Sequence, residues 1–350
     1  MRKYLILADG NSPHTFKWIK ELDKSFDIYL ISFNGIRDSI YEFIPKCNVF
    51  DLKTTISING NNVKVLNFIF TVAKIIKKVK PNFINAHYIT SYGTIGVLSK
   101  ILARSNAKLI LSAWGTDILV TPFKNRVYYY LTKFILMKAD FVTSDSEYMA
   151  KFIRNFNVKN VLIFPFGINK FPNVKKCNKD YNYFFSNRAL EPNYNIKLVI
   201  DLFKKLYDND NNLNLIIAND GSERRYLEQY VIGLGLERNV LFTGYLTFKE
   251  MAYYYEKCGY YFSLPKSDST SVSLLEAMSY GCIPIVSNIP ANLEWIKNGE
   301  NGFVIADTFI GNEIVYLETA FDKNRSLILN NAIWSRCIKQ YIEKIKGNEV

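Results

Sequence analysis

The sequence predicts an α/β protein made of doubly wound parallel sheets and divided into two domains. Short apolar runs alternate with amphipathic helical stretches along most of the chain, as strands and covering helices do. A Pro/Gly turn at Phe164-Pro165-Phe166-Gly167-Ile168-Asn169, followed by the polar run Asn173 to Asp180, marks a boundary near the middle. With 350 residues and 49% apolar composition, the chain can bury two cores.

The first half opens on the apolar strand Lys3 to Ala8, the turn Asp9-Gly10-Asn11-Ser12-Pro13, and a helix with apolar positions Phe16, Ile19 and Leu22. Strand, Gly-containing turn and helix begin a Rossmann-like unit, although the absence of G-x-G-x-x-G makes it a poor dinucleotide fingerprint. The alternation continues through strand Ile28 to Ser32, helix Val63 to Val79, strand Phe83 to Ala86, helix Thr94 to Ala103, strand Lys108 to Ser112, helix Asn125 to Met137 and strand Phe141 to Ser144. His14 follows the first turn and His87 ends a strand, the place where α/β sheets hold ligands, so each is a functional candidate beside the plainer structural reading. Helix Asn125 to Lys138 is apolar almost all round, with Lys124, Arg126, Lys133 and Lys138 spaced through it. Packing within the domain is its expected fate; peripheral membrane contact is the alternative.

The second half begins with strand Tyr181 to Ser186 and the loop carrying Arg188, then strand Leu213 to Ala218, helix Glu223 to Gly233 and strand Val240 to Thr243. Gly233-Leu234-Gly235 follows a helix and precedes a strand, so it is not a nucleotide-binding turn. Strand Tyr260 to Leu264 is broken by Pro265; the loop Lys266 to Thr270 leads to helix Ser271 to Tyr280, which Gly281 stops, and Ile283 to Ser287 is the next strand. This is a right-handed βαβ crossover, after which a further helix and strand reach Val304. Ile314 to Phe321 and Ser326 to Lys346 read as helical.

The crossover carries the chemistry. The first turn of the helix offers the amides of Ser271, Val272 and Ser273 and a partial positive charge, a seat for phosphate. Asp268 before it and Glu276 within it suit the paired hydroxyls of a sugar or ribose. Ser273 and Glu276 also have the S-x-x-E spacing of a capping box, which stands as an alternative role for Glu276.

Asp268, Glu276, Ala277, Met278, Gly281, Pro284, Glu294, Gly299, Asn301 and Gly302 resemble the donor-binding signature of glycosyltransferase family 4, retaining enzymes of the GT-B fold. The resemblance implies two Rossmann-like domains facing a cleft: residues 1–165 on the acceptor side, joined by a C-terminal helix at about 326–350 that crosses back, and residues 166–325 binding the nucleotide sugar. It implies that Arg188 grips the donor diphosphate together with the Gly10 loop and the helix amides, with Lys266 or Lys197 adding charge. Asp268 and His87 would hold the transferred sugar and act as catalytic residues, Glu276 would meet the ribose, and Tyr245 and Leu246 the base. His14, Trp114 and Asp117 are candidates on the acceptor side. Three positions depart from the usual pattern: Asp268 stands where Glu is common, Trp114 where His is, and Tyr194 where a Lys is. As an alternative, Arg188 could pair with Glu191 or Asp268.

The implied partners are a nucleoside-diphosphate sugar and a glycan or lipid-linked acceptor, with neither cofactor nor metal required. Residues 1–165 hold 23 Lys and Arg against 11 Asp and Glu, while the remainder is balanced at 21 each, so the net charge of +12 lies in the first half. Such a field suits an anionic partner such as lipid headgroups, or reflects an ordinary solvated surface. No nucleic-acid recognition signature accompanies it, and nucleic acid is not expected as a partner. Five scattered cysteines without C-x-x-C spacing fit a reducing compartment. The N-terminus reads as a first strand, and no run approaches the ~20 apolar residues of a membrane span. The expected setting is therefore cytoplasmic, with the inner face of the plasma membrane as an alternative, and the resemblance implies bacterial surface polysaccharide assembly. A nucleotide-sugar isomerase or phosphorylase on the same scaffold, or a non-catalytic partner of another transferase, are the rival readings.

Overall fold

The computed structural model describes residues 1–54, 63–305 and 314–347. It separates into two compact units, Met1–Phe164 with Ser335–Val350, and Pro165–Trp334.

In the first unit the strands are Lys3–Leu7 (β1), Asp27–Ser32 (β2), Val49–Asp51 (β3), Phe83–His87 (β4), Lys108–Ser112 (β5), Phe141–Ser144 (β6) and Val161–Ile163 (β7). They form an all-parallel sheet in the order β3-β2-β1-β4-β5-β6-β7. Because helices cover both faces, the central strands are buried along their length, Phe83–His87 at every residue. Leu5, Leu7, Ile84, Ala86, Leu109 and Leu111 form the heart of this core.

The second unit contains Asp180–Ser186 (β8), Asn214–Ala218 (β9), Val240–Gly244 (β10), Cys258–Ser263 (β11), Ile283–Ser287 (β12) and Phe303–Ile305 (β13). Their order is β10-β9-β8-β11-β12-β13, again all parallel. Each sheet therefore reverses its strand order once, at β1/β4 and at β8/β11. A crevice opens there beyond the carboxyl ends of the strands, because the connections on either side leave in opposite directions.

Several expectations need correction. Val63 to Val79 is not one α-helix: a 3-10 stretch Val63–Phe68 precedes the α-helix Ile69–Val79. In the first helix, Pro13–Leu22, the buried aromatic is Trp18; Phe16 stays half-exposed against Phe43 and Arg37. The helix expected over Ser326 to Lys346 is two, Ala320–Asn331 and Trp334–Gly347. The break is imposed from outside the segment: Ile168 N donates to Ala332 O at 2.8 Å, and Trp334 N donates to Ile168 O at 2.9 Å. Gly167 lies so close to the Ala332 backbone that a Cβ there would collide with it. Trp334 packs on Phe166, 4.6 Å between ring centroids, inside the second unit. Tyr341 belongs to the first unit, where its hydroxyl meets that of Tyr4 at 2.5 Å and its ring meets Trp18 edge-on. Residues 348–350, the end of the expected last helix, lie outside the described residues.

Candidate functional site

In the second unit the site grows from the β8/β11 crevice. β8 ends at Ser186 and the chain turns through Asn187 and Arg188; β11 ends at Ser263, and the loop carrying Asp268 leads to the helix Val272–Ser279. Ser271 caps that helix, its hydroxyl accepting from Leu274 N at 3.4 Å. The outward amides of Val272 and Ser273 have no acceptor within the helix. At the other end Gly281 takes φ +79°, the left-handed stop that the sequence announces.

Arg188 links these parts. Its side chain is 9% exposed, and Nη2 donates to Asp268 Oδ2 at 2.5 Å. Nη1 donates to Ser273 Oγ at 3.0 Å and also to Ser271 Oγ. The guanidinium lies over the Tyr194 ring, 4.4 Å from its centroid. The position where a Lys was expected thus carries a π-face that supports the neighbouring cation. Burial works against the Arg188 charge, but Asp268, Tyr261 and Tyr194 tip the balance and raise its pKa. Burial also lifts Asp268 above the usual carboxylate value, while Arg188 and the Ser269 amide pull it back. The pairing of Arg188 with Asp268, an alternative at the level of sequence, is present, and it lies in the crevice.

A relay that sequence reasoning missed holds Glu276. Tyr261 donates to Asn187 Oδ1 at 2.6 Å, Asn187 Nδ2 donates to the Tyr255 hydroxyl at 2.7 Å, and that hydroxyl lies 3.2 Å from Glu276 Oε2 and 3.3 Å from Ser273 O. Tyr261 lies on β11, Asn187 in the turn after β8, and Tyr255 on the helix Phe248–Lys257, which the sequence pattern did not reveal. A capping box for Glu276 is ruled out by the register: Ser271 is the cap, so the third helical residue is Leu274.

Other candidates are placed differently. Lys197 binds Asp201 at 2.8 Å and the Tyr230 hydroxyl at 2.9 Å, and so is not a reserve cation for the crevice. Lys266 is exposed, and its amide donates to Asn193 O at 2.8 Å, tying the two loops together. Tyr245 is 77% exposed just beyond β10, with Leu246 half-buried beside it. Asn301, in the signature's Asn-Gly, is structural: it accepts from Lys297 N and donates to Trp295 O and Asn324.

In the first unit an aromatic cluster lies at the β1/β4 crevice. His87, the last residue of β4, is 2% exposed, with its ring 5.5 Å from Trp18 and 5.4 Å from Trp114. Its Nε2 has no hydrogen-bond partner among the described residues, and burial, then His14, pushes its pKa down to about 3. His14 is exposed and sits 5.0 Å from Trp114. Tyr88 stacks on Trp114 at 5.6 Å and 19°; its φ of +62° is unusual for a bulky residue, and nothing in the sequence marked it. Asp117 is 2% exposed and accepts from Ile89 N at 2.8 Å and Trp114 N at 2.9 Å. It therefore positions the Trp114 loop and the turn after β4. Gly10 N donates to Ser32 Oγ at 2.8 Å.

The pattern describing "Glycosyl transferase 4-like" proteins matches residues 3–146, and that of "Glycosyl transferases group 1" matches residues 167–313. An uncharacterized glycosyltransferase, MJ1069, of Methanocaldococcus jannaschii is 25% identical over 97% of this chain and 95% of its own. Among solved structures, Anabaena Alr3699/HepE in complex with UDP-glucose superposes with TM-score 0.78 at 14% identity, covering 99% of this chain and 100% of that one. Sucrose-phosphate synthase from Thermosynechococcus elongatus reaches TM-score 0.81 at 14% identity, covering 99% of both chains.

Proposed function

The chain belongs to the group 1 glycosyltransferases of GT-B type, and from that premise we propose that it moves a sugar, with retention, from a nucleoside-diphosphate sugar to a glycan or lipid-linked acceptor. The observation that carries this reading is the convergence of Arg188, Asp268 and the start of helix Val272–Ser279 at the β8/β11 crevice. UDP is the donor nucleotide we put first, following the relative in complex with UDP-glucose.

In this reading the donor diphosphate lies across the first turn of the helix. Its negative charge grows as the glycosidic bond breaks, and Arg188 with the Val272 and Ser273 amides offsets it. The planar Arg fork suits two phosphate oxygens at once. Asp268, Ser271 and Ser273 hold that fork in place, so the donor meets an arginine already oriented. Glu276, braced by Tyr255, accepts the ribose hydroxyls, and the exposed Tyr245 with Leu246 borders the base. Asp268 and His87 are the residues we assign to the transferred sugar. Held neutral, His87 can hydrogen-bond a sugar hydroxyl through Nε2. The acceptor hydroxyl attacks on the face that the diphosphate leaves, and its proton passes to the departing phosphate oxygen. The setting we assign is bacterial surface polysaccharide or glycoconjugate assembly at the cytoplasmic side of a membrane.

A calorimetric titration with UDP, followed by product analysis with UDP-sugars, tests the reading. Glu276→Ala is expected to weaken UDP about 10-fold or more, from loss of a charged hydrogen bond worth ~1.5–3 kcal/mol. An equatorial anomeric proton in the product of an α-linked glucosyl donor would show retention. Equal affinity in wild type and variant, or an inverted product, would refute the assignment.

A further inference from the structure

The helix Arg126–Met137 is packed on one face only. Thr132, Ile135 and Leu136 are buried, whereas Val127, Tyr130, Phe134 and Met137 are 75%, 65%, 42% and 59% exposed. At 3.6 residues per turn these four fall within an arc of about 80°. Arg126 and Lys133 border the arc on one side and Lys138 on the other, with Lys138 Nζ 5.6 Å from the centre of the Phe134 ring. Between Asp117 and Asp140 the sequence holds no acidic residue. Phe123, 56% exposed, extends the apolar surface past the start of the helix. At the other end Lys138 also lines an open hollow of about 320 Å³ shared with Lys100, Ile101 and Arg104.

We propose that this face docks the protein on an anionic lipid bilayer, the aromatic arc entering the headgroup boundary and the flanking cations meeting lipid phosphates. Charge complementarity selects the occupant. An apolar band flanked by cations is the pattern of helices that lie in a membrane interface, where Tyr keeps its hydroxyl in water and its ring in the acyl margin. A second copy of the chain would bring Arg126, Lys133 and Lys138 against the same three cations across a two-fold axis. A nucleic acid would leave the central apolar band without a match. The first half's surplus of 23 basic over 11 acidic residues supplies the long-range attraction. Among the described residues no helix is long and apolar enough to cross a membrane. The inference does not rest on the donor chemistry of the second unit.

The test is flotation of the full chain with vesicles of phosphatidylglycerol and phosphatidylcholine, compared with phosphatidylcholine alone. Wild type is expected to float with the anionic vesicles and to be released by salt. Tyr130→Ser with Phe134→Ser is expected to lower partitioning at least tenfold, and Lys133→Gln with Lys138→Gln about fivefold per charge removed. UDP affinity, measured on the same preparations, is expected to stay unchanged and so certifies the fold of each variant. Wild type that binds UDP but does not float overturns the inference while leaving the donor assignment standing. Equal flotation of the aromatic variant, or self-association or RNA binding that the same substitutions abolish without any vesicle binding, also overturns it.

Discussion

Arg188→Ala removes the group on which both the folded loop and the proposed diphosphate contact depend, and the two losses are separable. The side chain is 9% exposed and reaches Asp268 at 2.5 Å, Ser273 at 3.0 Å, Ser271, and the Tyr194 ring at 4.4 Å. Truncation leaves Asp268 a mostly buried carboxylate with the Ser269 amide as its donor in the crevice. Breaking a buried pair costs about 3–5 kcal/mol; the 22% exposure of Asp268 puts the expected loss near the lower figure, about 3 kcal/mol. For UDP, losing a charged hydrogen bond of ~1.5–3 kcal/mol corresponds to about 10- to 150-fold weaker binding. Urea unfolding measures the first quantity and calorimetric titration the second. The pH dependence adds a signature. Burial already lifts Asp268 above 3.8, and Arg188 is the main influence pulling it back, so the variant's carboxyl rises further. Above 3.8 the folded variant then holds its proton more tightly than the unfolded chain, and stability falls as pH rises through that interval. The destabilisation is therefore expected to be smallest in acid and to grow toward neutrality. UDP affinity within twofold of wild type, or a destabilisation that shrinks as pH rises, would refute the reasoning.

His87, held at about 3 against an ordinary 6.5, stays neutral in the fold while the unfolded chain takes a proton. Stability is thus fully present above 6.5 and is lost as pH falls toward 3, at up to about 1.4 kcal/mol per pH unit, and His87→Asn is expected to flatten that limb in urea titrations between pH 7 and 5. Parallel limbs would count against a buried neutral imidazole. Gly10→Ala would place a Cβ 2.6 Å from Gly35 O and from Ile36 Cδ1, so a loss of about 1–3 kcal/mol is expected in the same assay, and an unchanged midpoint would contradict the close approach. Asp117→Ala removes the acceptor of Ile89 N and Trp114 N, and about 2 kcal/mol of stability should go with it, along with a changed indole emission from a loosened Trp114 loop. Wild-type emission and stability would show that the carboxylate holds neither segment.

The elements legible in the sequence were those whose own residues dictate them. Lys108–Ser112 and Phe141–Ser144 lie where the apolar runs place them, because a strand covered on both faces must be apolar throughout. The helix at Val272–Ser279 stops where Gly281, a residue able to take positive φ, was read to end it, while Ser271, read as its first residue, is its capping hydroxyl. Short edge strands such as Val49–Asp51 and Val161–Ile163 carry three residues each, too few to show a period. The Tyr255-Asn187-Tyr261 relay left no pattern, since its members stand 68 and 74 residues apart.

By itself the sequence determined the alternation of strands and helices, the chain's division into two, and the residue types gathered at the β8/β11 crevice, since propensity, period and capping act over a few neighbouring positions. Tertiary structure decided the rest. It set Tyr194 beneath Arg188, committed Lys197 to Asp201, broke the C-terminal helix at Ala332 with a backbone partner at Ile168, and left one apolar face of Arg126–Met137 in water. Each of these outcomes depends on which surface a distant segment happens to cover, and local periodicity records that a face is apolar without recording what lies against it.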